Sequence, residues 1–500
     1  MPNYPVIVGV GQLTNHIKSL DDAIAPVEMM RRVSISATED AGSGDLLKKV
    51  DSLQVVNILS WQYPDAPGLL AEKLGIAPKH QLYSAVGGNS PQWLVNQASE
   101  AIVNGGFKLA LLVGGEAMAS RNMARKQNTM LPWEPRGTPE KVVGDQRIGF
   151  NDTESRHGAV APIRVYPLFE NAIRAHLGQS IEEHQDYVAK LCSRFTQVAA
   201  KHPYAWFPKA RTPEDIETVN VENRWVCFPY PKRMNAIMEV NQAAAVLLTG
   251  SETAKELSIP QDKWVYVHGG GEANDKWFVS DRVNYHGSPA IKAATGRALS
   301  QAKTTADDID FFDLYSCFPS AVQMGLDALG LTTEEPRDIT VTGGLPYFGG
   351  AGNNYVMHSI ATTVERLRKS PEQKALVTAL GWFATKHAAG VYSGKPPENE
   401  WVRTDPNVDQ ATVEAMESPA TTAEASGSAT IETYTVVFGR DGEPATGIVI
   451  GRDANGARFF ANTPADKDLL WSMTREEFVG RPGKVKAVET DGVTRNVFTP

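Results

Sequence analysis

The chain contains few cysteines, no long apolar run and no basic stripe. Its three cysteines, Cys192, Cys227 and Cys317, lack the spacing of zinc ligands, so the sequence predicts no structural zinc and fits a reducing cytoplasm. No apolar run approaches the length of a membrane span, and the first residues, MPNYPVIVGVGQ, lack the regions of a signal peptide. The net charge of −9 is spread along the chain, which argues against a nucleic-acid partner. We therefore expect a globular, soluble, cytoplasmic protein without a membrane span.

One pattern, a glycine pair followed by a helix and a buried strand, occurs twice. The first copy lies within residues 87–118 and reads GGNSPQWLVNQASEAIVNGG and KLALLVGGEAM. The second lies within residues 349–387 and reads GGAGNNYVMHSIATTVERLRK and KALVTALGWFATKH. The upstream segments VIVGVGQ and WVYVHGGG correspond in the same order. The duplication predicts two tandem α/β units of about 120 to 150 residues, each with a sheet covered on both faces.

Three other segments depart from this pattern. Residues 120–235 are rich in aromatic residues and proline, which is typical of an inserted loop domain that caps a site. Residues 405–428 have the composition of a linker, and residues 429–500 alternate apolar and polar residues, as in a small OB-like β-barrel or a sandwich. The α/β halves then comprise residues 1–119 with 236–260, and residues 261–404. Turns of the terminal domain are expected at Asp441-Gly442, Asn455-Gly456 and Asp491-Gly492.

The turn before each repeated helix is a candidate ligand site. Ser90-Pro91 suits a helix start, where free amides and the helix dipole would bind an oxyanion or a phosphate. The alternative is that Ser90 is a plain N-cap. In the second copy, the glycines at 349–350 let a ligand approach closely, and Asn353 and Asn354 can donate hydrogen bonds.

Further candidates follow from helix spacing and from a strand end. His358 lies four residues after Asn354 and shares its helix face; the alternative is a buried histidine with a satisfied hydrogen bond. Tyr315, Ser316 and Cys317 follow a predicted strand, where α/β sheets bind ligands. Cys317 would be a nucleophile if a neighbour made it a thiolate, and otherwise a small buried hydrophobic residue.

Polar residues also follow the strand of the second copy. Thr385, Lys386 and His387 are expected on a glycine-flanked loop at the same edge of the sheet. In a catalytic interpretation, His387 is a proton carrier and Lys386 an anion partner. The alternative is a solvated turn.

Several motifs resemble those of the thiolase superfamily, in its sterol-carrier-protein-type and acetyl-CoA acetyltransferase-like branch. They are AIVNGGFKLALLVGGEAMAS, EVNQAAAVLLTG, DLYSCFPSAV and VTGGLPYFGGAGNN, and the resemblance covers residues 1 to about 405. It implies an α/β thiolase fold of two βαβαβαββ repeats in five αβαβα layers, coenzyme A thioesters as ligands, and Claisen-type chemistry. It also implies dimerisation through the sheet edge unless the added tail covers it, so a homodimer and a monomer both stay open.

The catalytic residues of that family do not carry over to this sequence. The nucleophilic cysteine would fall near Gly88, Asn89 and Ser90, the histidine of the GHP motif at Gly350, and the asparagine or histidine of NEAF or HDCF at Tyr315. The second cysteine would fall near residues 379–381. Without these groups, a mechanism through a cysteinyl thioester is excluded. The chain most resembles the type-1 thiolase-like proteins, which have an extra C-terminal β domain and bind coenzyme A without ordinary thiolase activity.

Two functions remain open. The first is an acyl-CoA C-acyltransferase or retro-Claisen enzyme that works without the cysteine, with an oxyanion site at the 88–90 amides and Asn353 or Asn354, and with His387 or His358 as the base. The alternative is a non-catalytic protein that binds acyl-CoA or lipid. No catalytic cofactor is expected. The ligand contacts we expect are Gly88, Asn89, Gly349, Gly350, Lys386 and Tyr315.

The inserted loop domain supplies further candidates for ligand contacts. Its aromatic residues suggest a bulky acyl group: Trp133, Tyr166, Phe169, Trp206, Phe207 and Trp225. Cations that could bind the phosphates of coenzyme A are Arg156, Arg164, Lys209, Arg211, Lys232 and Arg233.

Overall fold

The computed structural model describes residues 3–42, 44–490 and 492–500, so Asp491 of the third expected turn lies outside them. The strands are β1 (Pro5–Thr14), β2 (Ser52–Val55), β3 (His80–Tyr83), β4 (Leu109–Ala117), β5 (Trp225–Cys227), β6 (Tyr230–Pro231), β7 (Asn241–Gly250), β8 (Val265–Asn274), β9 (Phe311–Asp313), β10 (Lys374–Gly381), β11 (Lys386–Ser393), β12 (Gly427–Phe438), β13 (Pro444–Asp453), β14 (Arg458–Asn462), β15 (Pro482–Thr490) and β16 (Val493–Thr499).

Helices connect these strands and cover the sheets. They are α1 (Pro26–Asp40), α2 (Ala66–Leu74), α3 (Ser90–Val103), α4 (Met118–Lys126), α5 (Asp152–Arg156), α6 (Pro162–His176), α7 (Ile181–Ala199), α8 (Pro213–Glu217), α9 (Ser251–Glu256), α10 (Pro289–Gln301), α11 (Pro319–Ala328), α12 (Tyr355–Lys369), α13 (Pro406–Glu414) and α14 (Lys467–Ser472). Among the helices described, none is both long and apolar enough to cross a bilayer.

The duplicated pattern forms two halves of one sheet. Within the described ranges its strand order is β3-β2-β4-β7-β1-β8-β11-β10-β9. In the first half β2 runs parallel to β4, and β7 and β1 follow antiparallel. In the second half β9 runs parallel to β10, and β11 and β8 follow antiparallel. The halves meet where Val6 pairs with Tyr266 and Ile7 with Val265, which confirms the two tandem α/β units.

Helices lie on both faces of this sheet. The repeated helices α3 and α12 pack against each other and against strands of both halves. On the outer sides, α1 packs on β1 and β7, and α10 packs on β8 and β11. Because both faces are covered, β4 and β7 are buried along their whole length, as their continuous apolar runs predict. The layers in order are α1, the first half of the sheet, α3 with α12, the second half of the sheet, and α10. This is the five-layer αβαβα thiolase fold expected from the sequence.

The C-terminal strands form a closed five-stranded barrel. Within the described residues the order is β13-β14-β16-β15-β12, and β12 pairs again with β13 to close it. This confirms a small β-barrel rather than a sandwich. The inserted segment is attached to it, because β5 pairs with β12 and Phe228 lies in the barrel core. In the segment expected as a linker, α13 forms and packs on β8 and α10.

The inserted segment forms backbone hydrogen bonds with the C-terminal end of β3, at the outer edge of the sheet. The Val143 amide donates to the Tyr83 carbonyl at 2.9 Å, and the Val143 carbonyl accepts from the Ala85 amide at 2.8 Å. An edge strand pairs with another chain through such unpaired backbone groups. Part of the sheet edge is therefore occupied from within the chain, by the insertion and not by the tail.

Candidate functional site

Helix α3 begins at Ser90, one residue earlier than it would if Ser90 were the N-cap. The Ser90 hydroxyl does not cap the helix but donates to the Ala85 carbonyl at 3.0 Å, and the side chain of the preceding Asn89 makes no capping hydrogen bond. The expectation of a plain N-cap at Ser90 is therefore wrong. The hydroxyl bonds the preceding turn instead, because Ser90 and Pro91 are both already inside the helix.

Tyr315 fills the space in front of the helix start. A Cβ added to Gly88 would lie 2.2 Å from the Tyr315 hydroxyl and 2.5 Å from the Leu380 carbonyl, so only glycine fits there. The Tyr315 ring packs edge-on against Tyr355, with ring centroids 5.9 Å apart. Burial raises the pKa of Tyr315 well above its usual value, so its hydroxyl stays neutral. The phenol of Tyr315 thus lies directly against Gly88, near which the sequence resemblance places the nucleophilic cysteine.

Asn353 and Asn354 join the two repeats through backbone groups. The Asn353 side chain accepts from the Gly87 amide at 2.9 Å and donates to the Asn57 carbonyl at 2.9 Å. The Asn354 amide donates to the Gly114 carbonyl at 2.8 Å. Both side-chain nitrogens therefore already donate to carbonyls of the first repeat. This geometry opposes the oxyanion role expected from the sequence.

His358 is buried away from the start of helix α3. Its Nδ1 lies 2.9 Å from Oε1 of Gln12 on β1, and its ring packs against Phe348 with centroids 5.0 Å apart. Within the described part of the chain, Nε2 has no hydrogen-bond partner. Burial, with a smaller contribution from His202, lowers the pKa of His358 to about 3. The imidazole is neutral and closed off from solvent, which favours the alternative of a structural histidine.

Cys317 is also buried, and its thiol lies beside the Tyr166 hydroxyl. Burial raises the pKa of the Cys317 thiol to about 12, so the thiolate that a nucleophile requires is not formed. Ser316, its neighbour, points its hydroxyl toward Gly344, where an added Cβ would lie 2.8 Å from Oγ. Cys317 therefore fits the alternative of a small buried hydrophobic residue.

Lys386 and His387 lie on a strand and not on a loop. They open β11, pairing with Gly381 and Leu380 across the hairpin, because the turn ends at Thr385, two residues earlier than expected. The Lys386 Nζ donates to the Val86 carbonyl at 2.5 Å. The His387 Nε2 lies 3.0 Å from the Ala384 carbonyl, and burial lowers the pKa of His387 to about 4. Neighbouring strand residues point to opposite faces, so the two side chains have different partners.

Four of the predicted site residues line one cavity of about 250 Å³, which we call the polar cavity. They are Asn89, Ser90, Lys386 and His387. The sequence brings these residues together correctly, since the first glycine pair and the end of the second repeat strand meet here. The lining also includes Trp93, Asp145, Glu272, Asn274, Asn407 and Gln410.

A larger cavity, of about 660 Å³, lies between the inserted segment and the turn before α12, and we call it the basic pocket. Three of the six cations proposed from the sequence line it: Arg211, Lys232 and Arg233. Of the aromatic residues proposed for acyl binding, Phe207 lines it. Sequence reasoning missed Arg224 and Arg440, for which no local signal exists. The other lining residues are Val221, Glu222, Ile237, Pro346 and Tyr347.

The basic pocket reaches the glycine turn of the second repeat. The Ile237 carbonyl accepts from the Gly350 amide at 2.8 Å, and the neighbouring Ala236 amide donates to the Cys317 carbonyl at 3.1 Å. Gly349 has φ +116, a value that favours glycine, and its Cα faces the Gln242 side chain. Elsewhere, no cluster of three or more histidine, cysteine or acidic side chains within the described ranges is placed to hold a metal ion.

Comparisons with known proteins agree with this architecture. The family model for the thiolase-like protein type 1 additional C-terminal domain matches residues 409–491. The crystal structure of a monomeric SCP2-thiolase like protein type 1 from Mycobacterium smegmatis is 35% identical, with a TM-score of 0.85, over 99% of this chain and 98% of that chain. No curated protein sequence matched.

Two more distant structures share the fold alone. The Ltp2-ChsH2(DUF35) aldolase is 18% identical, with a TM-score of 0.61 over 78% of this chain and 98% of that chain. The human mitochondrial 3-ketoacyl-CoA thiolase in complex with CoA is 15% identical, with a TM-score of 0.55 over 79% of this chain and 98% of that chain. Identity along almost its whole length, together with the added barrel, places this chain in the family of SCP2-thiolase like proteins type 1.

Proposed function

We propose that this chain binds coenzyme A or an acyl-CoA thioester in the basic pocket and does not transfer the acyl group through a cysteine. One observation carries the proposal: five cations, Arg211, Arg224, Lys232, Arg233 and Arg440, surround a cavity of about 660 Å³. A volume of this size is typical of small-molecule sites. Phosphate groups are bound by such clusters through charge-assisted hydrogen bonds.

Most of these cations are available to an anion. Within the described residues the side chains of Arg211, Lys232 and Arg440 make no ion pair, and Arg233 has an exposed carboxylate, Glu222, at 3.5 Å. The residues that line the pocket thus carry more positive than negative charge. A ligand with several phosphates fits this imbalance better than a neutral ligand.

The pocket also offers apolar surface at its mouth. Phe207 and Val221 are 41% and 97% exposed, respectively, which suits contact with an adenine ring or an acyl chain. Tyr347 and Ile237 border the turn that contains Gly350.

Binding without ordinary thiolysis follows from what stands at the reactive positions. Cysteine is absent from residues 88–90 and 379–381, where the resemblance places the family cysteines, and Tyr315 and Gly350 stand where it places the proton carriers. Cys317 is a buried neutral thiol. The relative whose complex was solved, the human thiolase, has CoA bound. These points support the alternative of a non-catalytic acyl-CoA-binding protein over the acyltransferase.

A second candidate function is cleavage or transfer of the acyl group without a cysteine. The observation that favours it is the Tyr315 hydroxyl, which makes no hydrogen bond with any described residue and lies against Gly88 at the start of α3. A neutral phenol beside helix amides is able to donate a proton or to stabilise an oxyanion.

We also propose that the chain is a monomer. The insertion bonds the end of the β3 edge through Val143, which hinders edge-to-edge pairing of two sheets. The Mycobacterium smegmatis relative is described as monomeric.

The test is calorimetric titration with coenzyme A, dephospho-coenzyme A and pantetheine. Arg211→Gln with Lys232→Gln should weaken coenzyme A binding by about tenfold or more, since a hydrogen bond to a charged group contributes about 1.5 to 3 kcal/mol. Lys209→Gln, an exposed cation of the same segment outside the lining, is the matched control and should change nothing. Pantetheine binding should not respond to either variant. No binding of coenzyme A, or equal loss in the control, would reject the proposal.

Turnover decides between the two functions. The purified chain is incubated with free coenzyme A and a panel of β-ketoacyl-CoA thioesters, and products are read by mass spectrometry. We expect bound ligand and no shortened acyl-CoA. Products that disappear in Tyr315→Phe would establish the second function instead.

A further inference from the structure

The polar cavity contains an amine that the proposed function does not use. The Lys386 side chain is 5% exposed, and its Nζ donates to the carbonyls of Val86 at 2.5 Å and Asp145 at 3.4 Å. Within the described residues, no carboxylate lies within ion-pair distance of it. A buried cation without a counter-ion is costly, and lysine at such positions commonly has a chemical role.

The carboxylates nearest to the cavity are already neutralised by arginines. The Asp145 carboxylate contacts Arg147 at 2.6 Å, and Glu272 contacts Arg403 at 2.7 Å. Neither acid is therefore free to hold Lys386 in its charged form. Burial lowers the pKa of Lys386 to about 8; Asp145 opposes this shift and Arg147 adds to it. About half of the amine is neutral at pH 8.

The surrounding backbone gives the amine room and a partner acceptor. Cβ atoms added to Gly87 and Gly381 would lie 2.9 Å and 3.3 Å from Lys386 Cε, so the lysine stem passes between two glycines. A Cβ added to Gly87 would lie 2.3 Å from Oδ1 of Asn89 and 3.0 Å from Nζ of Lys386. These two atoms are therefore close to each other. This Oδ1 is buried and has no hydrogen-bond donor in the described chain.

We propose that Lys386 is a nucleophilic amine that binds a small aldehyde or ketone covalently in the polar cavity. The neutral amine attacks the carbonyl carbon, a C–N bond forms, and the carbonyl oxygen becomes the hydroxyl of a carbinolamine. Loss of that hydroxyl and the amine hydrogen as water leaves an imine, and hydrolysis reverses the step without an oxidant or a reductant.

The same residues define the class of ligand. The cavity volume of about 250 Å³ limits the ligand to a few carbon atoms. Oδ1 of Asn89, which accepts no hydrogen bond in the described chain, lies beside the amine and is an acceptor for the hydroxyl of the carbinolamine. Exposed amide groups of Asn407 complete a polar lining. A short hydroxylated aldehyde or ketone fits these contacts. None of the residues that line the polar cavity belongs to the basic pocket.

The experiment is imine trapping with glycolaldehyde and sodium cyanoborohydride at pH 8, read residue by residue by peptide mass spectrometry. We expect Lys386 to be alkylated at least about tenfold faster than the exposed Lys255, because Lys386 is buried without a counter-ion and this favours its neutral, nucleophilic amine. Lys386→Arg keeps the charge and the donors and should abolish the modification at this position. Alkylation of Lys386 no faster than that of Lys255 would overturn the proposal.

This outcome is independent of coenzyme A binding. Saturating coenzyme A should leave the rate of Lys386 alkylation unchanged, since the polar cavity and the basic pocket share no lining residue. If Lys386→Arg fails to fold, the comparison of Lys386 with Lys255 in the unaltered chain still decides the question.

Discussion

One buried arginine, Arg458 of β14, links the barrel to the second α/β half. Its guanidinium contacts both oxygens of Glu432, at 2.7 and 3.0 Å. It also donates to the carbonyls of Ser280, at 3.0 Å, and Arg282. Its centre lies 4.5 Å from the centroid of the Tyr285 ring. Because residues 280–285 belong to the second α/β half, this side chain joins the two domains.

Replacing Arg458 by methionine should therefore destabilise the barrel strongly. The Glu432 carboxylate keeps Arg452 as a partner, but the carbonyls of Ser280 and Arg282 each lose a charged donor, and a hydrogen bond to a charged group contributes about 1.5 to 3 kcal/mol. The chain provides a matched control in Arg452, which contacts the same carboxylate at 2.6 Å but is 31% exposed. Arg452→Met should cost about 0 to 1 kcal/mol, as surface pairs do.

The assay is hydrogen exchange of barrel peptides by mass spectrometry. A difference of about 3 kcal/mol corresponds to more than 100-fold faster exchange in β12 and β14, since 1.36 kcal/mol is a factor of ten. Peptides of α3 and β4 report on the core and should change less. If Arg458→Met accelerates exchange of the barrel no more than Arg452→Met does, the argument from burial is refuted.

Three further predictions concern thiols, pH and assembly. Burial raises the pKa of the thiols of Cys192, Cys227 and Cys317 to about 12, so iodoacetamide at pH 8 should label them only after denaturation. Rapid labelling of Cys317 in the native chain would contradict this and would make Cys317 a candidate nucleophile again. Because burial lowers the pKa of His358 from 6.5 to about 3, the unfolded chain binds one more proton there, and stability is lost as the pH falls from about 6.5 toward 3. His358→Gln should reduce that loss by about 1.4 kcal/mol per pH unit, measured by urea unfolding at several pH values; an unchanged slope would contradict it. Sedimentation at micromolar concentration should give a monomer, whereas a dimer would show that Val143 does not protect the β3 edge.

The sequence by itself determined the fold. Repetition of a glycine pair, a helix and an apolar strand specified two equivalent halves, because hydrophobic period and glycine positions are local properties. Alternation after residue 429 specified a small all-β domain for the same reason, and the structure decided that it closes as a barrel. The sequence also gives the residues that stand where the resemblance places the thiolase catalytic groups, such as Tyr315 and Gly350.

Only the tertiary structure decided what individual side chains contact. Asn353 and Asn354 look like oxyanion donors in the sequence, yet both donate to backbone carbonyls of the other repeat. Arg440 reaches the basic pocket because β12 pairs with β5, a contact between residues more than 200 positions apart. Lys386 is held by the carbonyl of Val86, 300 residues away. Hydrogen bonds and burial of this kind depend on how distant segments pack together, so no local pattern predicts them.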